Sequence, residues 1–220
     1  MRALACTLLC ALLAALAVGC GSEADAPSGT TISGPGLQES QPPWRPEYAH
    51  LKTRLRQRHV PPAGTEKFHI HALLHVYVDG LLSPVPKDVG INHVKGIEAS
   101  LHTHDRTGII HMEASHPHRF TLGDFFAVWG VKLGPAQVGG LTGLGGDRLH
   151  FFLNGKPLRD PAAHVLRDDD SIVIGYGPAD SFPHAPSTEL LKQLKSKDGT
   201  ALSCSATPGA KRKKSCLAPQ

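Results

Sequence analysis

Nine of the 14 histidines in this chain fall between positions 69 and 118, and their phase is more telling than their number. His102 and His104 stand two apart, as do His69 and His71, and His111 stands two before Glu113. Residues two apart on a β-strand share one face. Imidazoles and a carboxylate gathered on one rigid face are the donors that a Zn(II), Cu(II) or Ni(II) ion takes from a protein. The candidate ligands are therefore His102, His104, His111 and Glu113. His69 and His71 would complete the set if their strand lies alongside. The same pattern also suits a polar face on which imidazoles pair with Glu113 or with backbone groups. Convergence of the rings separates the two readings.

The remaining chemistry is bounded by what is missing. Once a leader is removed, Met112 is the only methionine, and its phase points it inward, so a soft Cu(I) site is disfavoured. No organic cofactor is indicated: the glycine-rich stretch 139–146 lacks the Lys-Ser/Thr ending of a phosphate loop and reads as a mobile loop. There is no H-E-x-x-H, and no Ser-His-Asp or Cys-His arrangement stands out. The H-x-H of barrel metallohydrolases needs a scaffold of about 250 residues, longer than the available domain. In the H-x-H-x-D-H pattern of metallo-β-lactamases the aspartate would come later than Asp105, and Thr107 holds the second histidine's place. His93, His116, His118, His150, His164 and His184 read as structural or surface histidines.

The elements that must position these ligands follow from local patterns. Residues 68–78 alternate, with Phe68, Ile70, Ala72, Leu74, Val76 and Val78 on one side and His69, His71, Leu73, His75 and Tyr77 on the other. Asp79-Gly80 ends that strand. Strands over about 97–104 and 109–114 flank Asp105-Arg106-Thr107-Gly108, whose composition predicts a hairpin turn. A turn centred on Arg106-Thr107 sets His102 opposite His111 and Ser100 opposite Glu113, with Leu101, Ile110 and Met112 toward the core. Thr121 and Asp124 predict a capped helix that ends at Gly130. Strands over 149–153 and 171–175 follow, the first closed by Asn154-Gly155.

The order strand, hairpin, helix, strand, strand predicts an α+β domain, a small mostly antiparallel sheet with one main helix. Asn154-Gly155 after a strand, and Leu166-Arg167-Asp168-Asp169-Asp170-Ser171-Ile172 before the last one, resemble the endings of β-grasp sheets. The resemblance implies that kind of sheet for the second half of the domain. Residues 101–113, read L-H-T-H-D-x-x-G-I-I-H-x-E, are similar to a family of uncharacterised exported bacterial proteins, which has no assigned activity.

At 220 residues, 40% hydrophobic and 19% charged, the chain has room for one ordinary domain and much besides. Its net charge of +4 is too mild to demand a nucleic acid, whereas protonating all 14 histidines would add 14 charges. Arg2, an apolar run over 3–17 and a small-residue exit describe a secretory signal peptide, the run being short of the roughly 20 residues of a membrane span. Leu16-Ala17-Val18-Gly19-Cys20 resembles a bacterial lipoprotein lipobox, with Ala17 where leucine is more usual. That resemblance implies lipidation of Cys20 and an exported, membrane-anchored protein facing the periplasm or the cell exterior. Cleavage after Ala17, leaving Cys20 as a thiol, is the alternative. Cys204 and Cys216 are then left to form a disulfide.

The expected organisation is a signal peptide over 1–19 and a lipid-anchored tether over 20–63, with a short basic helix through Leu51 and Leu55. A folded domain over 64–180 and a polar, basic tail over 181–220 follow, so the domain is flanked by segments whose composition predicts disorder. The leading expectation is an envelope-anchored domain that buffers, scavenges or senses a divalent transition metal. The alternatives are a pH-dependent module for an envelope protein or anionic polymer, and a metal-dependent hydrolase. Catalysis is left open.

Overall fold

The computed structural model describes residues 28–64, 67–143 and 148–194. Cys6, Cys10, Cys20, Cys204 and Cys216 lie outside the described residues, as do the expected signal peptide over 1–19 and the basic run over 211–214. The elements in chain order are α1 (Leu51–Gln57), β1 (Phe68–Val78), β2 (Leu81–Ser83), β3 (Ile91–Asn92), β4 (Ile97–Glu98), β5 (Leu101–His102) and β6 (Ile109–Ala114). After α2 (Leu122–Trp129) come β7 (Leu133–Gly134), β8 (Gln137–Val138), β9 (Leu141–Thr142), β10 (Leu149–Leu153), β11 (Lys156–Pro157) and β12 (Asp170–Tyr176).

This is an α+β fold around one mixed, mostly antiparallel sheet in the order β11-β10-β12-β1-β6-β5. Its centre is β1, which pairs in parallel with β12 and antiparallel with β6 through its first half. The second half of β1 pairs with β2 across the Asp79-Gly80 turn. The first and last long strands lie side by side, and α2 packs on one face of the sheet.

The alternation of β1 is resolved as expected. Ala72, Leu74 and Val76 are buried in the main core, with Phe68, Ile70 and Val78 against it. Leu101, Ile110 and Met112 join them from β5 and β6. The Thr121 hydroxyl accepts from the Asp124 N–H while the Asp124 carboxylate accepts from the Thr121 N–H, closing a capping box on α2. Gly130 ends that helix at φ 82°, and a Cβ there would lie 2.5 Å from the Glu47 Cβ.

Four expectations need correction. Residues 28–63 are no tether in the described part. Every residue of α2 is buried, and a helix apolar all round must be covered on both sides. The sheet covers one side, and Ile32, Trp44, Leu51 and Val60 join the same core. The Ile32 N–H donates to the Leu133 carbonyl, and Trp44 meets Trp129 edge to face at 5.8 Å. Few apolar residues suffice when backbone hydrogen bonds hold them.

The second correction concerns residues 181–194, which cover part of the sheet's other face. Phe182 packs with Phe152, Val173 and Tyr77, and Leu191, within a helical turn over 189–194, packs on Leu73 and Ile109. Third, the strand expected over 97–104 is two short strands. Between β4 and β5 the backbone changes partners: the Ser100 N–H donates to Pro61 and its hydroxyl to Pro62. Fourth, the start of the glycine stretch is built into the fold: Gly139-Gly140 turns β8 into β9 against Trp44. Residues 144–147 lie outside the described residues.

Candidate metal centre

Three adjacent strands carry the candidate ligands on one face. In the register of β5, β6 and β1, His102 pairs with His111, His111 with His71, and Glu113 with His69. Directly paired positions bring Cβ atoms within about 5.5 Å. His104 follows two residues after His102, beyond the strand end, and is exposed. The turn that returns the chain is pinned by Asp105, which accepts from the Thr107 N–H at 2.8 Å. Gly108, at φ 88°, admits the crossing backbone: a Cβ there would lie 2.1 Å from the Leu74 carbonyl oxygen.

All six residues named from the sequence come together. They form two overlapping groups: His102, His104, His111 and Glu113, and then His69, His71 and His111, each with its donor atoms within 4.8 Å of one another. The closest approaches carry the chemistry. His102 Nε2 lies 3.1 Å from His104 Nε2. Oε1 of Glu113 lies 3.1 Å from His69 Nε2, 3.4 Å from His111 Nδ1 and 3.8 Å from His102 Nε2. A tetrahedral ion with bonds of about 2.0–2.1 Å holds its donors about 3.3 Å apart. The side chains of this face could therefore hold a metal ion.

The protonation pattern suits the same task. His102 is fully buried, and its Nδ1 donates to the Ala99 carbonyl at 2.8 Å. A carbonyl only accepts, so the proton sits on Nδ1 and the Nε2 lone pair faces the cluster. Burial pushes the His102 pKa down, against the raising effects of that carbonyl and of Glu113, so the ring is neutral at neutral pH. Glu113 is held down to about 2, first by its contact with His111, against the opposing effect of burial and with the help of His102 and His69. A neutral His102 ring beside an ionised carboxylate is the state a divalent ion needs.

Two further ring nitrogens crowd the Glu113 carboxylate. His69 Nε2 and His111 Nδ1 are buried and close to the carboxylate, yet neither is aligned to hydrogen-bond. Their nitrogens crowd one carboxylate oxygen without a well-aligned hydrogen bond. Buried polar atoms in that condition call for a ligand, ion or water.

The other histidines have ordinary surroundings. His164 Nε2 lies 2.8 Å from the Asp170 carboxylate, His93 lies beside Asp88, and His150 Nε2 lies 3.2 Å from the Gly177 carbonyl. His116 meets Ser115, His118 packs on Phe120 and His184 stacks on Phe152. His75, on the face of His69 and His71, belongs to neither group, and burial lowers its pKa. What the sequence did not reveal is the Ala99 carbonyl that sets the His102 tautomer. Nor did it reveal Asp168, whose carboxylate accepts from the His71 backbone N–H at 3.1 Å. The first is a contact three residues back, which an H-x-H spacing cannot disclose.

Comparison with known proteins supplies no relative: no family model matches the chain, and neither a curated protein nor a solved structure matches it. Among the described residues no helix is long and apolar enough to cross a membrane.

Proposed function

We propose that this chain is an envelope-anchored lipoprotein whose folded domain binds a divalent transition metal, Zn(II), Cu(II) or Ni(II), to buffer, scavenge or sense it. One observation carries the reading. Four donors of His102, His104, His111 and Glu113, from two adjacent strands and the residues just past one of them, stand at separations close to those of a tetrahedral shell. The lipobox-like ending at Cys20 supports the location, with the acyl chains as the membrane contact and an envelope protein or anionic polymer as further partner.

Metal titration of the tag-free chain by calorimetry, with elemental analysis, tests the site. Tight uptake of metal, weakening as pH falls through about 6.5, is the expected result, because imidazole must be neutral to coordinate. His102→Ala should weaken binding about 100-fold while His150→Ala leaves it unchanged. Equal, weak responses of all histidine variants would refute the reading. For the location, Cys20→Ser should abolish acyl labelling and release the protein from membranes. A wild type without acylation would refute the anchor.

A further inference from the structure

The six donors do not fit one ion. A shell of bonds near 2.1 Å holds its donors within about 4.2 Å of one another, whereas the six do not all lie within even 4.8 Å and sort into two groups. His111 belongs to both groups. Its ring lies between them: stacked at 5.3 Å and 6° on His102, edge-on to His104 at 4.5 Å, and edge-on to His71 at 4.7 Å on the opposite strand. Glu113 Oε1 likewise reaches one group through His102 and the other through His69. The strand order explains the geometry, since β6 runs between β5 and β1 and its side chains stand between theirs.

We infer that this face is a two-metal centre. One divalent ion is held by His102, His104 and Glu113, a second by His69 and His71, and the His111 ring is the ligand they share. This rests on the metal-binding reading above and extends it. An imidazole offers one lone pair when neutral and two when its N–H is lost. The second ion therefore displaces the His111 ring proton to solvent as it binds. The centre is open on one side, because His104 is exposed and His69 and Glu113 are only partly buried.

The test uses the full-length, tag-free chain with Zn(II) for stoichiometry and Cu(II) for coupling. Elemental analysis after gel filtration should give two Zn(II) per wild-type chain, falling to one for His69→Ala and one for His104→Ala. These variants alter partly buried and exposed positions. Circular dichroism of the metal-free forms checks that each is folded. With two Cu(II) bound, electron paramagnetic resonance should show an exchange-coupled pair, with loss of normal signal intensity. Chains carrying His69→Ala should give the full signal of one isolated Cu(II). One Zn(II) per wild-type chain, with binding lost or weakened in both variants, would overturn the two-metal centre and leave the single site standing. Two ions without magnetic coupling would overturn the shared ligand. No binding at all would remove the metal-binding reading itself.

Discussion

Arg54 and His102 are both buried polar side chains, at 1% and 0% exposure, and the fold treats them in opposite ways. The Arg54 guanidinium donates to the carbonyls of Ala127, Pro35 and Glu47 and to the Glu47 carboxylate. Burial pushes the Glu47 carboxyl up, but the hydrogen bond and charge of Arg54 prevail and hold it below its ordinary range. Donors and acceptors there face one another, and the result ties residues 28–64 to the far side of α2. At His102 one nitrogen donates to backbone and the other accepts from a second imidazole, beside a carboxylate already crowded by two more rings. The first region is a closed account of hydrogen bonds. The second converges on a point.

A buried polar group acts according to what surrounds it. Satisfied, it builds structure; aimed together with others at common space, it awaits a ligand. The largest expected effect tests the closed region. Arg54→Met should cost about 3–5 kcal/mol, as for the loss of one partner of a buried pair. The melting temperature should then fall by roughly 10 °C. Metal stoichiometry of the folded fraction should not change. A small shift would mean that the N-terminal segment is held by its apolar side chains alone.

Acid should separate the regions next. Glu113, folded at about 2 against an ordinary 4.5, contributes stability that is present above about 4.5 and is lost as pH falls through about 2. His102, with its pKa also lowered, favours the fold above its ordinary value of 6.5, and that contribution is lost as pH falls through its lower folded value. Both signs agree: the metal-free protein weakens in acid. Glu113→Gln should flatten the acid limb by about 2 kcal/mol between pH 4.5 and 2, measured by urea unfolding across pH. Metal at 100 times its Kd should add about 2.7 kcal/mol at neutral pH, and that gain should vanish below about pH 5. An acid limb unchanged by the substitution would show that the carboxylate is not held by its neighbours.

A smaller effect comes from His164→Ala. Its ring pairs with the Asp170 carboxylate, which also accepts from the Arg167 N–H. Removing it should cost about 1–2 kcal/mol in thermal or urea unfolding, as for a charged group that loses one hydrogen bond. Metal affinity should stay the same. A change in calorimetric affinity would mean that histidine content, not placement, governs uptake.

Much of this was legible because strand chemistry is local. The two-residue periods of β1 and β6 and the His102–His111 pairing need only alternation and a hairpin, and α2 announces itself through Thr121, Asp124 and Gly130. That β1 borders β6, which brings in His69 and His71, is a long-range pairing that periodicity leaves open. Partner changes were equally hidden. The break at Ala99-Ser100 exists because those backbone groups bond to Pro61, Pro62 and Gly90, about 40 residues away for the two prolines and about ten for Gly90. Composition also misjudged residues 28–63 and 181–194, where Ile32, Trp44, Phe182 and Leu191 are sparse in sequence but well placed in space. Sparse apolar residues say little until the surface they cover is known.

The smallest stability effect is the sharpest test of the comparison. His104 is exposed and lies past the end of β5, so its ring contributes little to packing. Its recorded polar contact is the 3.1 Å approach to His102 Nε2, where it acts as donor because the His102 proton is on Nδ1. His104→Ala should therefore change unfolding of the metal-free protein by no more than about 0.5 kcal/mol, as for an ordinary surface substitution. Metal affinity should nevertheless fall at least tenfold, since loss of even an outer-shell partner of a metal ligand costs about 10–100-fold. His164→Ala should show the reverse pattern, stability lost and affinity kept. The pair forms a double dissociation, read by urea unfolding without metal and calorimetry with it. If His104→Ala destabilised the metal-free fold as much as His164→Ala and left affinity intact, the cluster would be one more satisfied polar network, and the contrast with Arg54 would disappear.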